Sequence, residues 1–186
     1  MERVVIITVG KTHSGKTTFA KALQQELPNS IIIDQDNQAE FLNTHYRTLL
    51  PEHGPYTLKY AVTQTIVDFV VTQTNYHLIL CNSNRNRKHR LDLLEKFHDQ
   101  GFHSILVNFE IPDDVLKARI AKSHRSTTAI RGASTFEEVL VLQQSEFHVE
   151  NIASPEEGEA GQLFIIKKAD EDQDVIQKII NITQRL

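Results

Sequence analysis

Residues 10–17 read GKTHSGKT and follow directly on an apolar run, VVIITV, at 4–9. Gly10 and Gly15 bracket four residues, and a lysine and a hydroxyl, Lys16 and Thr17, close the stretch. A polyphosphate is dense in negative charge and in acceptor oxygens, so a loop that wraps one must turn several peptide N–H groups inward. Side chains at the tight bends would block that approach, and glycine removes them. Lys16 can reach the β- and γ-phosphates as a point charge, and the Thr17 hydroxyl can ligate Mg²⁺. A helix starting here would add its N-terminus to the anion site.

Working outward, Val4–Val9 reads as a buried strand and Thr18–Leu27 as a helix. That is the strand–loop–helix setting which the spacing G-x-x-x-x-G-K-[ST] requires, and the stretch is read as a P-loop for a nucleoside triphosphate with magnesium. The plainer alternative is a glycine-rich turn between a strand and a helix. Within the loop, Lys11, Thr12, His13 and Ser14, and Thr18 just after it, are assigned to the nucleotide chiefly through their backbone. His13 is read as a variable position whose N–H matters, not as a catalytic imidazole.

The chain has 186 residues, which suits one domain (1–186) with a full core. Its net charge of −4 gives no global basic field toward nucleic acid. A single cysteine, Cys81, excludes an internal disulfide and suits a reducing compartment. No apolar run approaches the ~20 residues that span a bilayer. The start, Met1-Glu2-Arg3, is not a signal peptide. A cytoplasmic protein with no membrane partner and no obligate protein partner is expected.

Along the chain, strands are expected at Ser30–Ile33, Leu78–Cys81, Ser104–Phe109 and Leu163–Ile166. Helices are expected over Asn37–Leu50, Thr57–Thr74, Lys88–Asp99, Pro112–Lys122, from a Ser134–Glu137 capping box to Phe147, and over Asp174–Thr183. In Thr57–Thr74, the spacing puts Leu58, Ala61, Val62, Ile66, Phe69 and Val70 on one core face. Ala153–Gly161, with Pro155, Gly158 and three glutamates, reads as a linker. Alternating β and α units imply an α/β fold: a five-stranded parallel sheet with helices on both faces and ligands at the C-terminal strand ends.

The strand ends carry the remaining chemistry. Asp34 and Asp36 follow the second strand; one carboxylate can hold Mg²⁺ and the other can orient or deprotonate an attacking hydroxyl. A helix cap with a first-turn acid is the alternative. After the third strand come Asn82 and then Arg85, Arg87, Lys88, His89 and Arg90. Cations at a helix start oppose its dipole, which favours an anionic ligand over a merely solvated face. Further on, Arg119 precedes SHRSTTAIRGAS at 123–134, read as a lid whose Arg125 and Arg131 could close over phosphates. The alternative there is an exposed loop. Cys81 reads as a buried strand residue.

In this order the segments resemble the small P-loop kinases, most closely the polynucleotide-kinase-like and zeta-toxin-like group. GKTHSGKT is similar to their Walker A loop, IDQDN (33–37) to their D-x-D element, NSNRNRKHR (82–90) to their D-T-N segment, and 119–131 to their arginine-bearing lid. The resemblance implies the P-loop NTPase fold and a γ-phosphate transfer from ATP to a hydroxyl on a small molecule or a nucleic-acid end. It implies Lys16, Asp36, Arg125 and Arg131 as catalytic residues and Thr17 and Asp34 as Mg²⁺ ligands. Gly10 to Thr18 and Arg119 would hold the nucleotide, with residues 37–74 on the acceptor side. Two positions depart from the pattern: Asn82 stands where relatives have an aspartate, and Asn37-Gln38 where they often have an arginine. The guanine motif N-K-x-D is absent, which favours ATP. A plain ATPase and an inactive nucleotide binder are the competing readings.

Overall fold

The computed structural model describes residues 2–52, 54–130, 132–146 and 149–186. Five parallel strands, β1 (Arg3–Gly10), β2 (Ser30–Ile33), β3 (His77–Leu80), β4 (Phe102–Phe109) and β5 (Gln162–Ile166), form one sheet in the order β2-β3-β1-β4-β5. β1 is the central strand: Ile6 pairs with Ile79 on one side and with Ile105 on the other. Burial on both faces explains why the strands are apolar runs without alternation.

The period of two divides these runs between two cores. Val4, Ile6, Ile79, Ile105, Val107 and Phe109 point to one face. There they meet α1 (Lys16–Glu26), α5 (Asp113–Ala121), α6 (Phe136–Ser145) and α7 (Asp172–Thr183). Val5, Ile7, Val9, Leu78, Leu80 and Leu106 point to the other face and meet α3 (Thr57–Gln73) and α4 (Arg87–Asp99). Each fully buried aliphatic side chain contributes roughly 1.5–3 kcal/mol. α2 (Gln35–His45) joins α3 through a smaller cluster of Ala39, Leu42 and Tyr56. A 3₁₀ turn at Arg47–Leu49 follows it, where one continuous helix to Leu50 was expected.

Three local expectations change. α3 buries Thr63, Val67, Val70 and Val71, whereas Phe69 is 62% exposed. The helix is apolar nearly all round, so spacing alone could not choose its inner face. The cap of α6 lies one residue later and is not a full capping box: the Thr135 hydroxyl accepts from Glu138 N–H, while the Glu138 carboxylate accepts from Ser134 N–H, one residue before the cap. Within the basic run at 85–90, Arg85, Arg87 and Arg90 pair with anions of the chain itself. Arg90 and Glu159 pair at 2.8 Å with side chains 0% and 3% exposed, and Arg87 joins Glu159 at 3.0 Å. Arg90 also donates to the Asn84 and Ala153 carbonyls. Arg85 pairs with Glu146 at 2.7 Å. These contacts strap the connection between α6 and β5, including the 153–161 linker, onto the start of α4.

A buried pair is destabilising when halved, because the survivor keeps its desolvation cost. Arg90→Met or Glu159→Gln is expected to cost about 3–5 kcal/mol, a fall in Tm of roughly 6–20 °C in a melt followed by circular dichroism. Burial would push the Glu159 carboxyl up, but Arg90 and then Arg87 hold it below the usual glutamate range. Its contribution is therefore present at neutral pH and is lost as pH falls through that lowered value.

Candidate functional site

The GKTHSGKT loop sits on the C-terminal end of β1 and opens into α1. Gly10 has φ 151°, and a Cβ there would stand 3.0 Å from Phe109 Cβ and 3.0 Å from Ser14 Oγ. Gly15 caps α1 in the left-handed region at φ 109°, with no side-chain cap on the helix. The first-turn amides of α1, at Lys16, Thr17 and Thr18, thus belong to a helix end without an acidic first turn. That end is suited to an external anion.

The outer arch of the loop is held by α5 and α6. Lys11 pairs with Asp113 at 2.6 Å, and this bond draws the Asp113 carboxyl below its ordinary range. Thr12 N–H donates to Gln143 Oε1 at 2.7 Å. The His13 carbonyl accepts from Arg119 Nη1 at 3.0 Å. The His13 ring meets Phe136 edge-on at 4.7 Å, and its Nε2 is buried without a hydrogen-bond partner among the described residues. Burial, then the charges of Arg125 and Lys16, push this imidazole below its usual pKa. His13 is thus a neutral packing residue in a left-handed conformation, at φ 57°.

Inside the arch, Lys16 Nζ donates to the Lys11 carbonyl at 2.5 Å and to Ser14 Oγ at 3.1 Å. Burial lowers its pKa to about 8. The Thr17 hydroxyl donates to Asp34 Oδ2 at 3.4 Å. Asp34 is 4% exposed and caps α2, its Oδ1 accepting from Asp36 N–H at 3.0 Å. Burial is the main reason its carboxyl stands above the usual range. Asp34 therefore caps α2 with one carboxylate oxygen and meets the Thr17 hydroxyl with the other. Hard oxygen donors from Thr17 and Asp34, side by side, fit Mg²⁺. Among the described residues no three His, Cys, Asp or Glu side chains converge on one point, so an ion here would draw its other ligands from phosphate and water. Asn82 does not add a free ligand, since its Oδ1 accepts from Gln35 N–H at 3.0 Å and ties β3 to the start of α2.

Asp36 points outward and pairs with Arg125 at 2.5 Å. The Arg125 guanidinium also lies 5.3 Å from the Phe136 ring centroid. The structure therefore brings Arg125 to Asp36 and Arg119 to the P-loop. Arg131 lies outside the described residues. Cys81 is buried, and burial raises its pKa to about 11, so it is no nucleophile. A cavity of about 260 Å³ opens beside the loop between Gly10, Lys11, Arg85, Asn108 and Ser154. A larger depression of about 570 Å³, around Asn29 and His77, lies at the opposite ends of the strands and contains none of this chemistry. Sequence reasoning missed Gln143 and Asp113, which reach the loop from 131 and 102 positions away. No local signal marks either.

A family model described as an AAA domain matches residues 5–147. No curated protein sequence matches the chain. Among solved structures, a provisionally assigned kinase from Chloroflexus aurantiacus aligns at 18% identity and TM-score 0.65, over 100% of this chain and 98% of its own. The APS kinase of Mycobacterium tuberculosis, in complex with AMPPNP and APS, aligns at 15% identity and TM-score 0.60, over 98% of each chain. Kti12 of Chaetomium thermophilum, in complex with ADP-AlF₃, aligns at 14% identity and TM-score 0.63, over 95% of this chain and 97% of its own. At such identities the likeness carries the fold: the P-loop NTPase architecture expected from the sequence.

With the Lys16 pKa near 8, the ammonium form dominates at about pH 7 and is lost above that value. Phosphates bind the charged form. ATP affinity measured by calorimetry is expected to be flat near neutrality, then to fall as pH rises through about 8, approaching tenfold per unit. Lys16→Arg stays charged throughout and should flatten that decline.

Proposed function

The chain belongs to the AAA domain family, and on that premise we propose that it is a phosphotransferase. It moves the γ-phosphate of ATP to a hydroxyl group on a small molecule or a nucleic-acid end. The observation that carries this reading is the pair of carboxylates on either side of the α2 cap. Asp34 is buried against the P-loop hydroxyl of Thr17, whereas Asp36 stands on the outer side with a lid arginine. A second carboxylate so placed can orient and deprotonate the attacking oxygen, which in this reading is the acceptor hydroxyl. The kinases among the structural neighbours add support.

In this reading the amides of His13 to Thr18 and the Lys16 ammonium cradle the phosphates, since Gly10 N–H and Thr12 N–H, which the sequence assigned to the nucleotide, are taken by the Ser83 carbonyl and Gln143. Thr17 and Asp34 hold Mg²⁺, which when bound neutralises charge on the triphosphate. Arg119 braces the loop through the His13 carbonyl. Asp36 accepts the proton of the acceptor hydroxyl as its oxygen attacks the γ-phosphorus. The bond to the β–γ bridging oxygen breaks, and ADP leaves with that electron pair. Arg125 must first release Asp36, since the two are paired at 2.5 Å. A guanidinium freed in this way could follow the transferring charge, as could Arg131. The chain acts as one domain in the cytoplasm, with α2 and α3 on the acceptor side and 123–134 as the lid. Among the described residues no helix is long and apolar enough to cross a membrane.

A second reading, ATP hydrolysis without an acceptor, is favoured by Asn82, which brings no charge to the metal side and is occupied by Gln35 N–H. Transfer of labelled γ-phosphate to a 5′-hydroxyl oligonucleotide and to a panel of small alcohols, beside an acceptor-free control, separates the two. Acceptor-dependent label is expected; release of inorganic phosphate at the same rate in the control would overturn the kinase reading. Asp36→Asn is expected to lower transfer by about 10²–10⁴-fold while leaving ATP affinity within about twofold. Equal turnover in that variant would remove Asp36 from the mechanism.

A further inference from the structure

The Lys11–Thr12 peptide is held at both ends. Its carbonyl accepts from Lys16 Nζ at 2.5 Å, and its N–H donates to Gln143 Oε1 at 2.7 Å. In a trans peptide the carbonyl and the N–H lie on opposite edges of one plane, and no cis bond occurs among the described residues. One bond therefore points into the loop and the other points out toward α6. Rotating this plane to find another acceptor for the N–H would swing the carbonyl away from Lys16.

The arch has reason to need such a hold. His13, the next residue, sits at φ 57°, a conformation that costs energy for a residue with a Cβ and persists where its surroundings impose it. Gln143 is itself fixed. Arg85 donates to the Gln143 carbonyl at 2.7 Å and pairs with Glu146 at 2.7 Å, which ties down the last turn of α6. The same β3–α4 loop anchors the start of the P-loop, where Gly10 N–H donates to the Ser83 carbonyl at 2.9 Å. The start of the P-loop and, through Arg85 and Gln143, its Lys11–Thr12 peptide thus both lean on the β3–α4 loop.

We propose that Gln143 is a positioning residue for Lys16: by holding Thr12 N–H it fixes the Lys11–Thr12 plane and so keeps the Lys16 ammonium aimed at the terminal phosphates of the bound nucleotide. The inference rests on the nucleotide-binding reading above. Gln143 acts on the loop from the α6 side, and its effect passes through a single peptide group. It is a partner of the loop, not a plug in it, because the N–H it takes faces away from the Lys16 side.

The test is a double-mutant cycle on ATP affinity, measured by calorimetry with Mg²⁺. Gln143→Met keeps the side-chain length and removes the acceptor. It is expected to weaken ATP binding roughly tenfold with little change in Tm. In a Lys16→Met background the same change should matter less than about twofold, because the residue it acts through is gone. Gln143→Glu keeps an acceptor for Thr12. Hydrogen exchange at the Thr12 amide, read by NMR, should be slow in the wild type and in Gln143→Glu and fast in Gln143→Met, with and without ATP. Equal losses in both backgrounds, or tighter binding in Gln143→Met, would overturn the proposal. Unchanged Thr12 exchange in Gln143→Met would do the same without any nucleotide. A wild-type chain that binds no ATP would instead bring down the functional reading on which it stands.

Discussion

The site depends on one constraint: a loop that turns its peptide N–H groups toward a ligand must have the rest of its backbone held from outside. Residues 10–17 meet it through side chains that arrive from elsewhere. Asp113 takes Lys11, Gln143 takes Thr12 N–H and Arg119 takes the His13 carbonyl. Phe136 supports the His13 ring. Glycine at positions 10 and 15 makes the bends possible. It is α5 and α6, lying over β1 and β4, that select one arch from those that glycine permits.

Charge is arranged in two zones with different tasks. Near the loop, Lys16, Arg119 and Arg125 surround a region into which Asp34 and Asp36 bring carboxylates. These groups lie close enough to bias one another, and burial lowers the Lys16 pKa while raising that of Asp34. A phosphate chain with a divalent ion would satisfy both. Behind the loop, Arg85, Arg87 and Arg90 face Glu146, Glu156 and Glu159, and those charges are satisfied inside the protein. A buried guanidinium with a bidentate carboxylate and two carbonyls is a fastening. It keeps the α6–β5 connection, and so α6 itself, in register with the strand ends.

The two zones meet at α6. Its first turn presents Phe136 to His13 and its last turns present Gln143 to Thr12, while Arg85 holds the far end. Arg85 holds α6 at two points, the Gln143 carbonyl and Glu146, and an arch with a left-handed residue is steadied by such a hold. The side of Arg125 is arranged differently. Arg125 lies on Asp36 with side chains 37% and 52% exposed, so solvent screens that pair and it can part at small cost. One face of the loop is thus fixed and the other is free to exchange partners.

Much of this was legible in the sequence. GKTHSGKT, the apolar runs and their spacing gave the loop, the five parallel strands, the helices and the positions of Asp34 and Asp36, because these follow from local chemistry and from periods of 2 and 3.6 residues. The inner face of α3 was not legible, since Val67, Phe69 and Val70 are equally apolar and only neighbours in space choose among them. The purpose of the 85–90 cations was not legible either, because their partners lie at 146–159. The same holds for Gln143, an ordinary helix residue until the fold sets it 2.7 Å from Thr12 N–H. Sequence by itself determined which groups can bind a triphosphate, as that is a matter of residue type and short spacing. Tertiary structure alone decided which charges remain for a ligand and which peptide plane is locked, because both depend on pairings between residues far apart in the chain.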